Sequence, residues 1–122
     1  MLALVLLLAP AADLSGSWPE GYWHTPSNDH RGPLRAEFTR ISATQYRVVF
    51  KGRFAAIIPF RYASTLDIVD EQPGRTLLSS EQRLPLFGLF RLGAEGTESD
   101  FRATFSSRRY NGEFVLRRCG CR

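Results

Sequence analysis

Residues 45–69 read QYRVVFKGRFAAIIPFRYASTLDIV, and the alternation inside this stretch decides the fold class. Tyr46, Val48, Phe50 and Phe54 alternate with Arg47, Lys51 and Arg53, which is the two-residue period of a strand with one dry and one wet face. Val49 alone breaks the pattern on the wet side. After a corner at 54–59 the alternation resumes, with Phe60, Tyr62, Leu66 and Ile68 on one side and Arg61, Thr65 and Asp67 on the other. A lone hairpin with an aromatic face is marginal in water, so further strands must cover it.

The flanking sequence supplies them. Upstream, Gly16-Ser17-Trp18 and Gly21-Tyr22-Trp23 suit a first strand at the closed end of a barrel, where one indole, Trp18 or Trp23, plugs the bottom. Residues 24–32 read as a loop, because Pro26, Ser27, Asn28, Asp29 and Gly32 are turn formers. A second strand follows over 34–39, with Leu34, Ala36 and Phe38 on one face, and 42–44 turn the chain into the central hairpin. Downstream, residues 70–74 end in a Pro-Gly turn signal. A fifth strand over 75–83 is less clearly phased, since Leu77 and Leu78 face opposite ways. After a corner at 84–87, Phe90, Leu92 and Ala94 share a face over 88–95. Phe101, Ala103 and Phe105 mark a seventh strand, Asn111-Gly112 favours a type I′ hairpin turn, and Phe114 and Leu116 belong to a last strand over 113–118.

The pattern is all-β, with no helix after residue 15. Short sequential connections favour an eight-stranded antiparallel up-and-down meander barrel whose last strand closes on the first, removing both edges. A sandwich would need longer cross-over connections. At 122 residues the chain holds one domain. Residues 2–12, LALVLLLAPAA, are apolar without interruption and shorter than the ~20 residues that span a bilayer as a helix. The small residues Ala9, Ala11 and Ala12 suit a signal peptidase, although no positively charged stretch precedes the apolar run. The expected organisation is therefore a signal helix over 1–12, a barrel domain over 13–118 and a tail over 119–122, in a secreted, periplasmic or cell-envelope protein with no stable membrane span after processing. Cys119 and Cys121, in a CGC tail, are too close for an unstrained mutual disulfide. In an oxidising compartment either could link two chains as a dimer, and two thiols alone do not make a zinc site.

The formal net charge is +4, and Lys51 is the sole lysine among 16 basic residues. Cations scattered at outward positions read as a solvated wall rather than a nucleic-acid groove. The densest basic spot is Arg108-Arg109-Tyr110. No Gly-x-Ser-x-Gly elbow, P-loop, dinucleotide fingerprint or Cys/His nucleophile pair occurs, so neither an enzyme nor a cofactor is expected. His24, Asp29 and His30 share one predicted loop, but their spacing matches no metal pattern and no metal is expected there.

The opening Gly16-Ser17-Trp18, the run of hairpins and the basic residues closing the last strand resemble the calycins, the lipocalin, avidin and fatty-acid-binding group of up-and-down barrels. Small secreted bacterial proteins of similar pattern are also alike. The resemblance implies that a basic side chain from the end of the barrel covers the first-strand indole. Carried over, Arg118 or Arg117 would cover Trp18; Arg118 continues the inward series Phe114, Leu116 and is favoured by phase. Such a latch contributes ~0.5–2 kcal/mol. Two functional readings stay open. An incompletely filled barrel lined by Phe38, Tyr46, Phe50, Tyr62, Phe90 and Phe105, with Ser64 and Ser107 as polar contacts, would bind a small hydrophobic ligand. A barrel filled by the same aromatics would instead be a structural or interaction protein of the cell envelope, offering its cationic outer wall to anionic polymers.

Overall fold

A computed structural model of the chain describes residues 11–118 apart from 28, 55–56, 85–87 and 109–110. The alternating segments form β1 (Gly16–Trp18), β2 (Glu20–Thr25), β3 (His30–Ser42), β4 (Gln45–Phe54), β5 (Ile58–Gln72), β6 (Arg75–Leu84), β7 (Gly88–Gly96), β8 (Asp100–Ser106) and β9 (Asn111–Arg117). From β2 to β9 each segment pairs antiparallel with the next, and β9 pairs back onto β2. The sheet is thus a closed eight-stranded up-and-down barrel, with β1 and β2 as two pieces of its first strand. Pairing β9 back onto β2 removes the two edges that an open sheet would leave. The described residues contain no helix; the expected signal segment lies outside them except for Ala11 and Ala12, as does the whole cysteine tail.

Pro19 explains the broken first strand. Trp18 lies opposite Ala36 and Tyr22 opposite Pro33, so four steps along the first strand answer three along β3. Proline has no N–H for the ladder, and an extra residue beside it is a bulge. The bulge reverses the side-chain phase, so Trp18 and Trp23, an odd number of residues apart, both turn inward and are buried.

Three expectations about connections need correction. Residues 24–32 do not form one loop: Thr25 pairs with His30, leaving a short turn and placing His24 in β2 and His30 and Gly32 in β3. Asp70 and Glu71 stay in β5, opposite Leu77 and Thr76, because a register shift at Val69 lets the ladder continue to the Pro73-Gly74 turn. Asn111 and Gly112 do not make a hairpin turn. They pair with Ser106 and Phe105 inside the ladder, and Gly112 is required there because a Cβ would lie 2.3 Å from the His24 carbonyl oxygen and 2.6 Å from the Phe105 ring.

One end of the barrel is shut by the residues preceding β1. Leu14 is fully buried and occupies space left by Gly96, where a Cβ would come within 2.7 Å of the leucine. The Thr76 hydroxyl, also buried, donates to the Ala12 carbonyl at 2.9 Å. Trp18 donates through Nε1 to the Leu14 carbonyl at 2.9 Å, and the Leu14 N–H donates to the Tyr46 hydroxyl at 3.1 Å. Every polar backbone group that this short arm brings into the apolar end through these contacts therefore has a partner.

Candidate functional site

The inward positions of the strands meet as one continuous set of rings. Starting at the shut end, Trp18 contacts Phe38 and Phe101 at centroid distances of 5.6 and 6.2 Å. Phe38 meets Phe101 at 5.0 Å, and Phe50 lies between Phe101 and Phe114 at 6.4 and 4.9 Å. Phe114 then reaches Phe105 at 5.0 Å, Phe105 stacks on Phe90 at 5.4 Å, Phe90 meets Tyr62 at 5.2 Å, and Tyr62 stacks back on Phe50 at 5.7 Å. All these distances fall within the range of favourable ring contacts. An eight-stranded barrel has a bore that side chains can fill, and these rings run along it.

The residues expected to line a ligand pocket divide between the two halves of this set. Phe38 and Tyr46 belong to the shut end; the Tyr46 hydroxyl is engaged by the Leu14 N–H and lies 3.4 Å from the Asp13 carboxylate. Phe50, Tyr62, Phe90 and Phe105 come together in the other half, where Phe50 contacts Tyr62, Tyr62 contacts Phe90 and Phe90 contacts Phe105. Ser64 is buried beside them and donates to the Ser80 hydroxyl at 3.3 Å. Ser107 lies past the end of β8.

This Ser64–Ser80 contact spans a parting in the wall. β5 and β6 pair from Asp67 opposite Ser79 down to Gln72 opposite Arg75, whereas higher up β5 is paired to β4 and β6 to β7. Behind the parting the Tyr62 hydroxyl is buried with no hydrogen-bond partner. Burial pushes its pKa up, and Ser64 and Ser80 hold it back in part. The two serine hydroxyls act on it by weak hydrogen bonding, at a geometry short of a full hydrogen bond.

At the shut end Arg118 is the fastening. Its guanidinium carbon stands 4.3 Å from the Trp18 ring centroid, its Nη1 donates to the Ser15 carbonyl at 2.6 Å and its Nη2 to the Asp13 carbonyl. Nε donates to the Glu98 carbonyl at 2.7 Å, so one side chain ties the arm, the indole and the β7–β8 turn together. The Ser15 N–H, at 3.0 Å, holds the Asp13 carboxyl below its ordinary pKa, with the Ser15 and Tyr46 hydroxyls and the Arg118 charge adding to the effect. Trp23 sits at the opposite end, donating to the Arg53 carbonyl at 3.0 Å and meeting Phe54 edge-on at 5.1 Å.

The histidines do not converge. His24 lies between two carboxylates, with Nε2 at 3.0 Å from Asp29 and Nδ1 at 3.7 Å from Glu113, while His30 starts β3 opposite Thr25. The hydrogen bond to His24 holds the exposed Asp29 carboxyl below its ordinary pKa. Among the described residues no group of three His, Cys, Asp or Glu is arranged to hold a metal ion.

On the outer wall the cations are sorted by register. Around β6–β9 they are neutralised: Arg91 meets Glu81 at 2.8 Å, Arg75 meets Glu95 at 3.2 Å, Arg102 meets Glu113 at 3.2 Å and Arg117 meets Asp100 at 3.5 Å. Across β3–β5 Arg40 meets Glu71 at 3.8 Å, but the central row differs. Arg35 lies directly opposite Lys51, and Lys51 directly opposite Arg61, so two like-charged cross-strand pairs share one row. Arg47 and Arg53 continue it along β4. None of these five makes an ion pair among the described residues, although Glu37 and Glu20 stand on the same wall. Like charges placed opposite one another destabilise a sheet. The row lies in an open groove of about 900 Å³, walled by Pro19, Pro33 and Pro59 and bordered by Glu20. The expected even scatter of basic residues is therefore not what the fold produces, and Lys51 and Arg61 could have been found by their equal distance from the hairpin centre. Arg109 and Tyr110, two of the three residues of the basic spot singled out in the sequence, lie outside the described residues. A second open groove, of about 890 Å³, crosses the neutralised wall over Gly93.

Comparison with protein-family models, curated proteins and solved structures finds no significant match to the chain. The architecture itself, a closed antiparallel eight-stranded barrel, is consistent with a calycin-like fold.

Proposed function

We propose that this chain is a secreted, non-enzymatic interaction protein of the cell envelope that works through the outside of a filled, calycin-like barrel. The observation that carries the reading is the unbroken run of ring contacts from Trp18 to Phe90 and Tyr62, which supports a bore occupied by its own aromatics. The apolar leader over 2–12 supports export. The unpaired cations of β3–β5 support an anionic partner, because a counter-charge there relieves repulsion that the fold itself leaves in place.

A second reading rests on a different observation. β5 and β6 part above Asp67 and Ser79, and the unpartnered Tyr62 hydroxyl lies behind that parting. A small hydrophobic molecule with one polar end, passing between these strands, would give the hydroxyl a partner. Titration of the chain with a panel of fatty acids and hydrophobic dyes separates the two. The filled-barrel reading expects no saturable binding and no probe shielded from water; saturable one-to-one binding would overturn it in favour of a carrier.

A further inference from the structure

The cationic row and the barrel's exposed apolar side chains meet at one place. Among the described residues the exposed large hydrophobics are Ile41, Phe54, Ile57, Ile58 and Val69, and three of these five lie where β4 ends and β5 begins. Ile57 is 78% exposed, Ile58 56% and Phe54 42%, so the hairpin presents an apolar tip to water. Phe54 is packed against Phe60 at 4.5 Å and against Trp23 at 5.1 Å, which ties the end of β4 to the wall behind it. The Arg53–Pro59 pair lies one step below the Phe54–Ile58 pair, and the Lys51–Arg61 pair lies three steps below it. At about 3.4 Å per step this places the charges roughly 3 to 10 Å behind the tip. Amphipathic elements resting on a membrane bury their apolar face about 5–10 Å into the boundary between headgroups and acyl chains. With the tip at that depth, Arg53 lies among the headgroups, and Lys51, Arg61 and Arg35 face them within about one Debye length.

We propose that the β4–β5 hairpin docks this protein on an anionic phospholipid bilayer, with Ile57, Ile58 and Phe54 in the interface and Arg53, Lys51, Arg61 and Arg35 against the lipid phosphates. This rests on the reading that the outer wall is the working surface. The contact is peripheral: a barrel that spans a bilayer needs an apolar outer band, and here the outward positions of β3–β5 are charged while the apolar side chains face inward. A soluble polyanion satisfies the cations equally well but has no use for the isoleucines.

Co-sedimentation of the full chain with vesicles tests this. One set is phosphatidylcholine alone, and the other contains about a third phosphatidylglycerol, both at near-physiological salt. The quantity read is the ratio of binding to anionic over zwitterionic vesicles; the leader is common to every variant and cancels between them. The wild type is expected to favour anionic vesicles. K51E with R61E should lower the ratio about thirty-fold or more, from about a fivefold loss for each of the two cations removed near the surface. R75E with R91E, which changes net charge equally on the other wall, should leave it within about twofold of wild type. I57S with I58S should lower binding to anionic vesicles several-fold, with urea midpoints confirming that the exposed isoleucines do not hold the fold. The proposal is overturned by no preference for anionic vesicles, by equal losses from the two charge-reversal pairs, or by unchanged binding of the isoleucine variant, the last being the behaviour of a bare polyanion site. None of these outcomes bears on whether the bore takes a fatty acid, so the proposal can fail while the filled-barrel reading stands, and the reverse.

Discussion

The two ends of the barrel are closed in opposite ways. At one, a short arm carries Leu14 into the space beside Gly96, Trp18 lies over it, and Arg118 fastens arm, indole and turn through three carbonyls and a ring face. At the other, Trp23, Phe54 and Phe60 cover the rings of the bore, yet Ile57 and Ile58 project into water and β5 leaves β6. The same chemistry of aromatic residues on strands thus gives a satisfied, dry end and an end with apolar surface left over. The first end is where stability should be concentrated, and the second is where a partner can gain something by binding.

Paired substitutions test that contrast. Trp18→Ala removes a fully buried indole and should cost about 3–5 kcal/mol, whereas Phe54→Ala, at a ring that is 42% exposed, should cost about 1–2 kcal/mol; urea unfolding measures both. Equal losses would erase the distinction between the ends. Arg118→Ala should cost about 1–3 kcal/mol by removing the cation over Trp18 and three donors. Arg118→Lys should restore less than half of that, because an ammonium cannot reproduce the planar fork.

The smallest effect lies in the upper half, at Tyr62. Tyr62→Phe deletes a buried hydroxyl that has no partner, so stability near neutral pH should change by less than about 1 kcal/mol and in the stabilising direction. Its pKa is raised in the folded chain above the ordinary 10.0, so the neutral form is the one the fold prefers. The wild type therefore keeps this contribution below about pH 10 and loses it as pH rises further, when the unfolded chain ionises first. The alkaline limb of a stability-against-pH curve should be shallower in the phenylalanine variant.

Much of this was legible in the residues because alternation is local. The runs 45–54 and 58–68 show their inward faces directly, and, once the calycin resemblance implies a basic side chain over Trp18, the step from Phe114 and Leu116 selects Arg118 over Arg117. What escaped depends on register. The odd spacing of Trp18 and Trp23 allows only one inside a regular strand, and the bulge beside Pro19 that admits both cannot be seen without β3 opposite. Asn111-Gly112 carries turn chemistry, but the Phe105 ring crossing Gly112 explains that glycine better. The arm was hidden for another reason: Ala12 reads as the end of the apolar leader, and Leu14 stands between Asp13 and a Ser/Gly stretch with no strand alternation to mark it as the stopper of the barrel. The row of Arg35, Lys51 and Arg61 exists only because two hairpins bring distant residues side by side, whereas composition shows no more than a basic chain.

The central claim is that the bore is filled and the outside does the work. It is tested most directly by an amide chemical-shift map of the full chain titrated with a medium-chain fatty acid. The account expects the amides of Phe50, Tyr62, Phe90 and Phe105 to hold their positions throughout. Saturable shifts at those four residues, with the fatty acid bound in the bore, would contradict it.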